Sequence, residues 1–227
     1  MGYSNIDFIL IILMLLIPLV SQLMIKINYA RYKKIKNKSN ISGFEVARKI
    51  LDANGLDNIY VVETSGDLTD HYDPTRKVIR LSSDIFKGTS IASASVAAHE
   101  CGHAIQDRDG YKPMRFRSFL VPIVNLVSQA SWYIVFLGIA AQYFKLFIIG
   151  IALICIGLLF QLITLPVEFD ASSRAKEELK KLQLVNSDES EGVAKMLYSA
   201  AMTYVASVLS SVVQILRLFL RYSNNRK

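Results

Sequence analysis

The stretch VAAHECGHAIQD, residues 96–107, holds two of the chain's three histidines. His99 and His103 are spaced i and i+4, with Glu100 between them. On an α-helix that spacing separates two side chains by about 40° in azimuth and about 6 Å along the axis. The two imidazoles then share one face and can converge on a single tetrahedral metal ion, most naturally Zn²⁺. Glu100 sits about 100° around from His99, beside such an ion, where a carboxylate can accept a proton from water. Zinc acidifies water and polarises a carbonyl, so the chemistry implied is hydrolysis. Two surface histidines on a helix are the bland alternative; the scarcity of histidine and the small, apolar residues around the pair weigh against it. Cys101 is about 200° around the helix from both histidines and is expected to face the core rather than the metal.

A catalytic zinc of this kind takes a third protein ligand. The chain reads AIQDRD after His103, so neither the glycine nor the third histidine of an HExxHxxGxxH pattern is present. A glutamate from a later helix is the other usual solution. LPVEFDASSRAKEELKKL, residues 165–182, supplies Glu168, with Asp170 as a second choice. Asp107 lies too close in sequence to His103 for either pattern. Pro166 suits a helix start, and acids in a first turn are also favoured by the helix dipole alone.

The elements that must position these residues can be read from periodicity and punctuation. SGFEVARKILDANG, residues 42–55, reads as an amphipathic helix with Ser42 as cap, Glu45 completing a capping box and Gly55 ending it. NIYVVET (58–64) and KVIRLSS (77–83) read as strands of a short hairpin. SGDLTDHYDPT (65–75) between them reads as a turn or loop. His71 and Tyr72 in that loop are candidate transition-state or substrate contacts, although Asp70, Asp73 and Pro74 are turn formers in their own right. The strand 77–83 is a candidate for binding an extended peptide along its edge. Arg174 is a weaker candidate, since an arginine on a charged helix is usually solvated. Residues 90–106 read as the helix that carries the histidines.

The rest of the chain is mostly apolar. Of its 227 residues 52% are hydrophobic, and the mean hydropathy is +0.32. Residues 8–25, 119–144 and 146–165 carry no charge, and each is long enough to cross about 30 Å of hydrocarbon as a helix. The first lacks a basic start and is followed by KINYARYKKIKNK, residues 26–38, so it reads as a retained anchor, not a signal peptide. That basic stretch accounts for much of the net charge of +7 and suits anionic lipid better than nucleic acid, which is not expected as a partner. Sixteen Lys and Arg fall in residues 26–118, against Lys145 alone between the second and third runs. The positive-inside rule then puts the N-terminus outside, and residues 26–118 and 166–195 inside. The run 196–216 is of spanning length but polar, and Arg217, Arg221, Arg226 and Lys227 would lie at its outer end. It is expected to be a span, a docked helix or a hairpin. Two cysteines, Cys101 and Cys155, give no sign of a disulfide. The spans hold no ionisable residue, which argues against a channel or transporter.

LTDHYDP, VAAHECGHAIQ and LPVEFDASSRA, with the arrangement of spans, resemble the YugP-like family of membrane zinc metallopeptidases over nearly the whole chain. More distantly the chain resembles the HtpX-like and CAAX-prenyl-protease-like membrane gluzincins. The resemblance implies Zn²⁺ as cofactor, His99, His103 and Glu168 as ligands, and Glu100 as base. The distant relatives carry a carboxylate four residues after the ligand glutamate, where this chain has Ser172; Asp170 or a backbone carbonyl is expected to take over the orienting of a ligand histidine.

The expected fold is therefore a mainly α integral membrane protein with a small α+β zincin-like domain, its β-hairpin preceding the HExxH helix. The expected layout is an anchor (1–25), a cytoplasmic metalloprotease region (26–118), a transmembrane hairpin (119–165), a cytoplasmic helix with the third ligand (166–195), and a C-terminal apolar helix with a basic tail (196–227). The function read from this is a zinc-dependent endopeptidase of the cell membrane with its active site on the cytoplasmic side, acting on peptides or membrane proteins. A catalytically silent zinc-binding adaptor in the bilayer is the alternative.

Overall fold

The computed structural model describes residues 5–224. Its elements run α1 (Asn5–Tyr32), α2 (Gly43–Ala53), β1 (Tyr60–Thr64), β2 (His71–Asp73), β3 (Val78–Ser82), α3 (Ser83–Phe86), α4 (Ile91–Arg108), α5 (Lys112–Ala140), α6 (Phe144–Lys181) and α7 (Ser190–Asn224). The chain divides into two compact units. One comprises residues 23–114 and 166–202, the other residues 1–22, 115–165 and 203–227. The expected tail residues Arg226 and Lys227, like the first four residues of the anchor, lie outside the described residues.

The first unit has a conventional core. Ile50 and Leu51 of α2, Ile79 and Leu81 of β3, Ile85 of α3 and Leu179 of α6 are fully buried. Local signals set its helix ends. Ser42 accepts from Glu45 N and the Glu45 carboxylate reaches back to Ser42 N, the expected capping box. Gly55, at φ +68°, follows the Asn54 cap. Ser90 caps α4 by accepting from Ser93 N.

The sheet differs from expectation in its pairing. Its order is β1-β3-β2, with β1 parallel to β3 and β2 antiparallel to it. The two expected strands do form, but the hairpin is β2–β3, and β2 comes from the stretch read as loop. Asp73 makes the turn, accepting from Thr75 N and Arg76 N. Asp70 anchors the other end of β2 by accepting from Ser82 N at 2.7 Å. β3 is thus the central strand. Both of its edges are occupied, so it cannot take an extended peptide by edge addition; β1 and β2 form the sheet's edges.

The second unit is built from long apolar helices. Among the described residues, four helices are long and apolar enough to cross a membrane, within Asn5–Tyr32, Lys112–Ala140, Phe144–Lys181 and Ser190–Leu220, and at most 17% of each span is buried against protein. Large side chains such as Leu15, Leu126, Phe136 and Leu159 are exposed on them, as lipid-facing surfaces require. Two expectations are corrected. Pro166 does not start a helix but lies inside α6, which continues from the apolar run into the Glu168 segment, despite the hydrogen bond an interior proline removes and the crowding of its ring against the carbonyl four residues back. Residues 196–216 belong to one unbroken helix, which rules out the hairpin.

Within this unit Arg217 near the end of α7 donates from Nε to Asp7 Oδ1 near the start of α1 at 2.9 Å, both side chains being mostly buried. These ends of α1 and α7 therefore lie side by side. Four crossings would bring them to the same face, and the cation that seemed misplaced at the outer end of α7 has an anion beside it. Asp7→Ala and Arg217→Ala should each destabilise the protein in detergent. The double variant should lose less than the sum, with a coupling of roughly 0.5–3 kcal/mol in a double-mutant cycle on reversible denaturation; additive losses would exclude the pair as a stabilising contact.

Candidate metal centre

The centre lies wholly within the unit that carries the sheet. α4 is rich in alanine, which favours helix, and Ala92, Ala94, Ala97, Ala98 and Ala104 are buried. Gly102, in the middle of α4, costs the helix about 1 kcal/mol relative to alanine. Its reason is packing. A Cβ at Gly102 would sit 2.4 Å from the main-chain oxygen of Ala171 in α6. The two backbones touch there, one residue from His103 on one side and three from Glu168 on the other.

That contact brings together three ligands from two distant segments. Oε2 of Glu168 lies 3.3 Å from Nε2 of His99 and 3.6 Å from Nε2 of His103. The imidazole rings stand edge to face with centroids 4.8 Å apart, and one ligand atom from each of the three residues falls within 4.8 Å of the others. A tetrahedral zinc with arms of about 2.0–2.1 Å needs ligand atoms about 3.3 Å apart. The separations to Glu168 match, and two imidazole nitrogens with one carboxylate are a donor set suited to zinc. Asp107 is not part of the cluster: its Oδ2 accepts from Tyr72 Oη at 2.8 Å and Lys77 Nζ at 2.6 Å. Nor is Cys101, which is fully buried with Sγ donating to Ala47 O at 3.6 Å, and whose thiol burial pushes up.

The two glutamates differ in protonation. Burial pushes Glu100 up to about 7; Glu168 and Asp70 nearby add to the rise, while His99 and the Tyr72 main-chain N–H oppose it. Glu168, past the apolar run of α6, is also buried, and burial is the largest single influence on it. The His103 and His99 imidazoles beside it outweigh that influence and hold it well below the usual carboxylate range. Carboxyl groups pushed apart in this way commonly divide the work of a site.

Of the two loop candidates, His71 is exposed, with Nδ1 2.7 Å from Thr69 O, and is not in the metal cluster. Tyr72 is buried, and its hydroxyl proton goes to Asp107. Burial first, then Asp107, raises its phenol pKa.

The partners of the ligand histidines were only partly foreseen. His99 Nδ1 lies 3.2 Å from Oγ of Ser172, the residue in the place of the expected carboxylate. His103 Nδ1 lies 3.0 Å from Oε1 of Gln106. Gln106 went unnoticed, although a residue three beyond His103 shares its helix face. Asp170 does not itself contact a ligand histidine, contrary to expectation; Gln106, whose Nε2 donates to it, stands between. Arg174 is not a solvated charge: Nε donates to Asp170 and Nη1 to Asp109, each at 2.6 Å.

The chain belongs to the family described as "putative neutral zinc metallopeptidase", which matches residues 7–223. Among curated proteins it is 42% identical over 206 residues to the "putative membrane protease YugP" of Bacillus subtilis (strain 168), covering 91% of this chain and 92% of that one. No solved structure matches.

If the Gly102–Ala171 contact sets the ligand geometry, Gly102→Ala must force the helices apart. It should lower stability by about 1–3 kcal/mol, the usual range for overpacking, and weaken zinc binding in a chelator-competition titration. Zinc affinity equal to wild type would show that the ligands are positioned by something else.

Proposed function

We propose that this protein is a zinc endopeptidase of the gluzincin type, with His99, His103 and Glu168 holding the metal and Glu100 as general base. The observation that supports it most is the meeting of two Nε2 atoms with one carboxylate oxygen, 3.3 and 3.6 Å from it, on the face of α4 next to buried Glu100. Zinc held there supplies Lewis acidity, acidifying water and polarising the scissile carbonyl. Glu100 takes the proton of the attacking water and delivers it to the leaving amine. Burial raises the Glu100 pKa above the ordinary carboxylate value, toward the range suited to a group that takes up a proton and gives it back. Exposed His71, on edge strand β2, is the side chain we assign to contact with substrate.

The substrates we propose are peptides or membrane proteins, cleaved on the cytoplasmic side of the cell membrane. The basic residues of 26–38 and 174–181 support that orientation.

Glu100→Gln should keep zinc and lose at least about 10²-fold in turnover of a quenched peptide, the lower end for removal of a general base. Glu168→Ala should lose zinc affinity together with activity, since one of three protein ligands is gone. Full activity in Glu100→Gln would sink the mechanism; full zinc in Glu168→Ala would sink the ligand assignment. A metal-loaded wild type with no activity on any peptide would instead favour a silent zinc-binding adaptor.

The orientation is tested by cysteine substitution and an impermeant thiol reagent on intact cells. Gln142→Cys, in the turn between α5 and α6, should label, and Asp67→Cys should not. The reverse pattern would turn the protein over in the membrane.

A further inference from the structure

We propose that Gln106 is the positioning residue for His103: its side-chain oxygen holds the Nδ1–H of His103 and so presents the Nε2 lone pair to the metal. The inference rests on the zinc reading above and goes beyond it, to what fixes the orientation of a ligand.

The argument is one of hydrogen-bond accounting. Gln106 is fully buried, so its amide must find its partners within the protein. Nε2 lies 2.8 Å from the main-chain oxygen of Val167 and 2.8 Å from Oδ2 of Asp170. A main-chain carbonyl has no hydrogen to give, so the atom facing Val167 O must be the donor, the nitrogen. Both amide hydrogens are then used, one on each oxygen. Turning the amide over would set its oxygen against two acceptors. Oε1 is therefore the atom 3.0 Å from His103 Nδ1. An amide oxygen only accepts, so Nδ1 of His103 carries the hydrogen. With that nitrogen protonated, the neutral ring has its lone pair on Nε2, the atom that lies 3.6 Å from Glu168 Oε2.

The rest of the network holds the amide in place. Val167 is fully buried and one residue from Glu168, so Gln106 is tied to the same turn of α6 that supplies the third ligand. Asp170 is itself held by Arg174 Nε, and Arg174 by Asp109 at the end of α4. The carboxylate–arginine pair thus clamps α4 to α6 twice, once through Gln106 and once through Asp109. Val167 O alone is enough to fix which way the amide faces; Asp170 adds a second acceptor on the same side.

The test uses the full chain purified in detergent, stripped of metal, with zinc affinity read by competition with a chromophoric chelator. Gln106→Met, close in shape but unable to accept from Nδ1–H, should weaken zinc binding roughly 10–100-fold, the range for loss of a ligand's outer partner. Asp170→Asn should cost less, because Val167 O remains. Zinc affinity unchanged in Gln106→Met, or lost more in Asp170→Asn than in Gln106→Met, overturns the proposal. A measurement on the wild type guards against a variant that fails to fold. Long-range ¹H–¹⁵N NMR of zinc-loaded, histidine-labelled protein should show His103 bound through Nε2 with a proton on Nδ1. Coordination through Nδ1 overturns the assignment whatever the variants do. Wild type that binds no zinc at all removes the zinc reading itself, an outcome distinct from a wild type that binds zinc without regard to Gln106.

Discussion

The centre depends on a single close approach between α4 and α6. Helix axes normally lie about 8–10 Å apart because side chains stand between them. At Gly102 there is none, and the backbone of α4 reaches the carbonyl of Ala171. Only that proximity lets imidazoles on one helix reach a carboxylate on another within 3.3–3.6 Å. A glycine in mid-helix costs on the order of 1 kcal/mol, a small sum against the several kcal/mol of desolvation that a buried carboxylate carries when left without compensation. Glu168 is compensated by the two histidines that the close approach brings to it.

The same approach explains how two buried glutamates come to differ. Glu168 faces both imidazoles and is held in its charged form; Glu100, on the neighbouring azimuth, gains less from them and is dominated by burial. Helix geometry assigns the two environments. The histidines at i and i+4 define the metal face, and the residue between them is offset by about 100°. The HExxH spacing thus does more than collect ligands. It places one carboxyl group beside the charged face without making it part of that face.

How much of this could be read from sequence follows from how local each feature is. The His99–Glu100–His103 arrangement depends only on helix geometry, and the ends of α2 on the chemistry of Ser42, Glu45 and Gly55; all of these read correctly. Glu168 could be named as a candidate because it is the first acid after the third apolar run, although sequence alone did not separate it from Asp170 two residues on. The sheet was not, since nothing in residues 58–64 or 77–83 distinguishes parallel from antiparallel partners, and three-residue β2 is too short for a period-2 pattern to appear. The continuity of α6 through Pro166 was hidden because proline at a helix start and proline inside a helix look alike in sequence. Gln106 was missed for another reason: a glutamine among alanines and acids signals nothing until its partners, Val167 and Asp170, more than sixty positions away, are in place.

Those partners also suggest why the groups touching the ligand histidines are uncharged. His99 meets a hydroxyl and His103 an amide. The site already holds Glu100 and Glu168 in a buried space, and a third carboxylate in direct contact would raise the cost of ionising both. Here the additional carboxylate, Asp170, is set one residue further out, where Arg174 balances it and Gln106 stands between it and the ring. Geometric control over His103 is kept while the negative charge stays at the edge of the site. Fixing a ligand's orientation needs only an acceptor in the right place, and an amide anchored to a main-chain carbonyl supplies one without adding charge beside the metal.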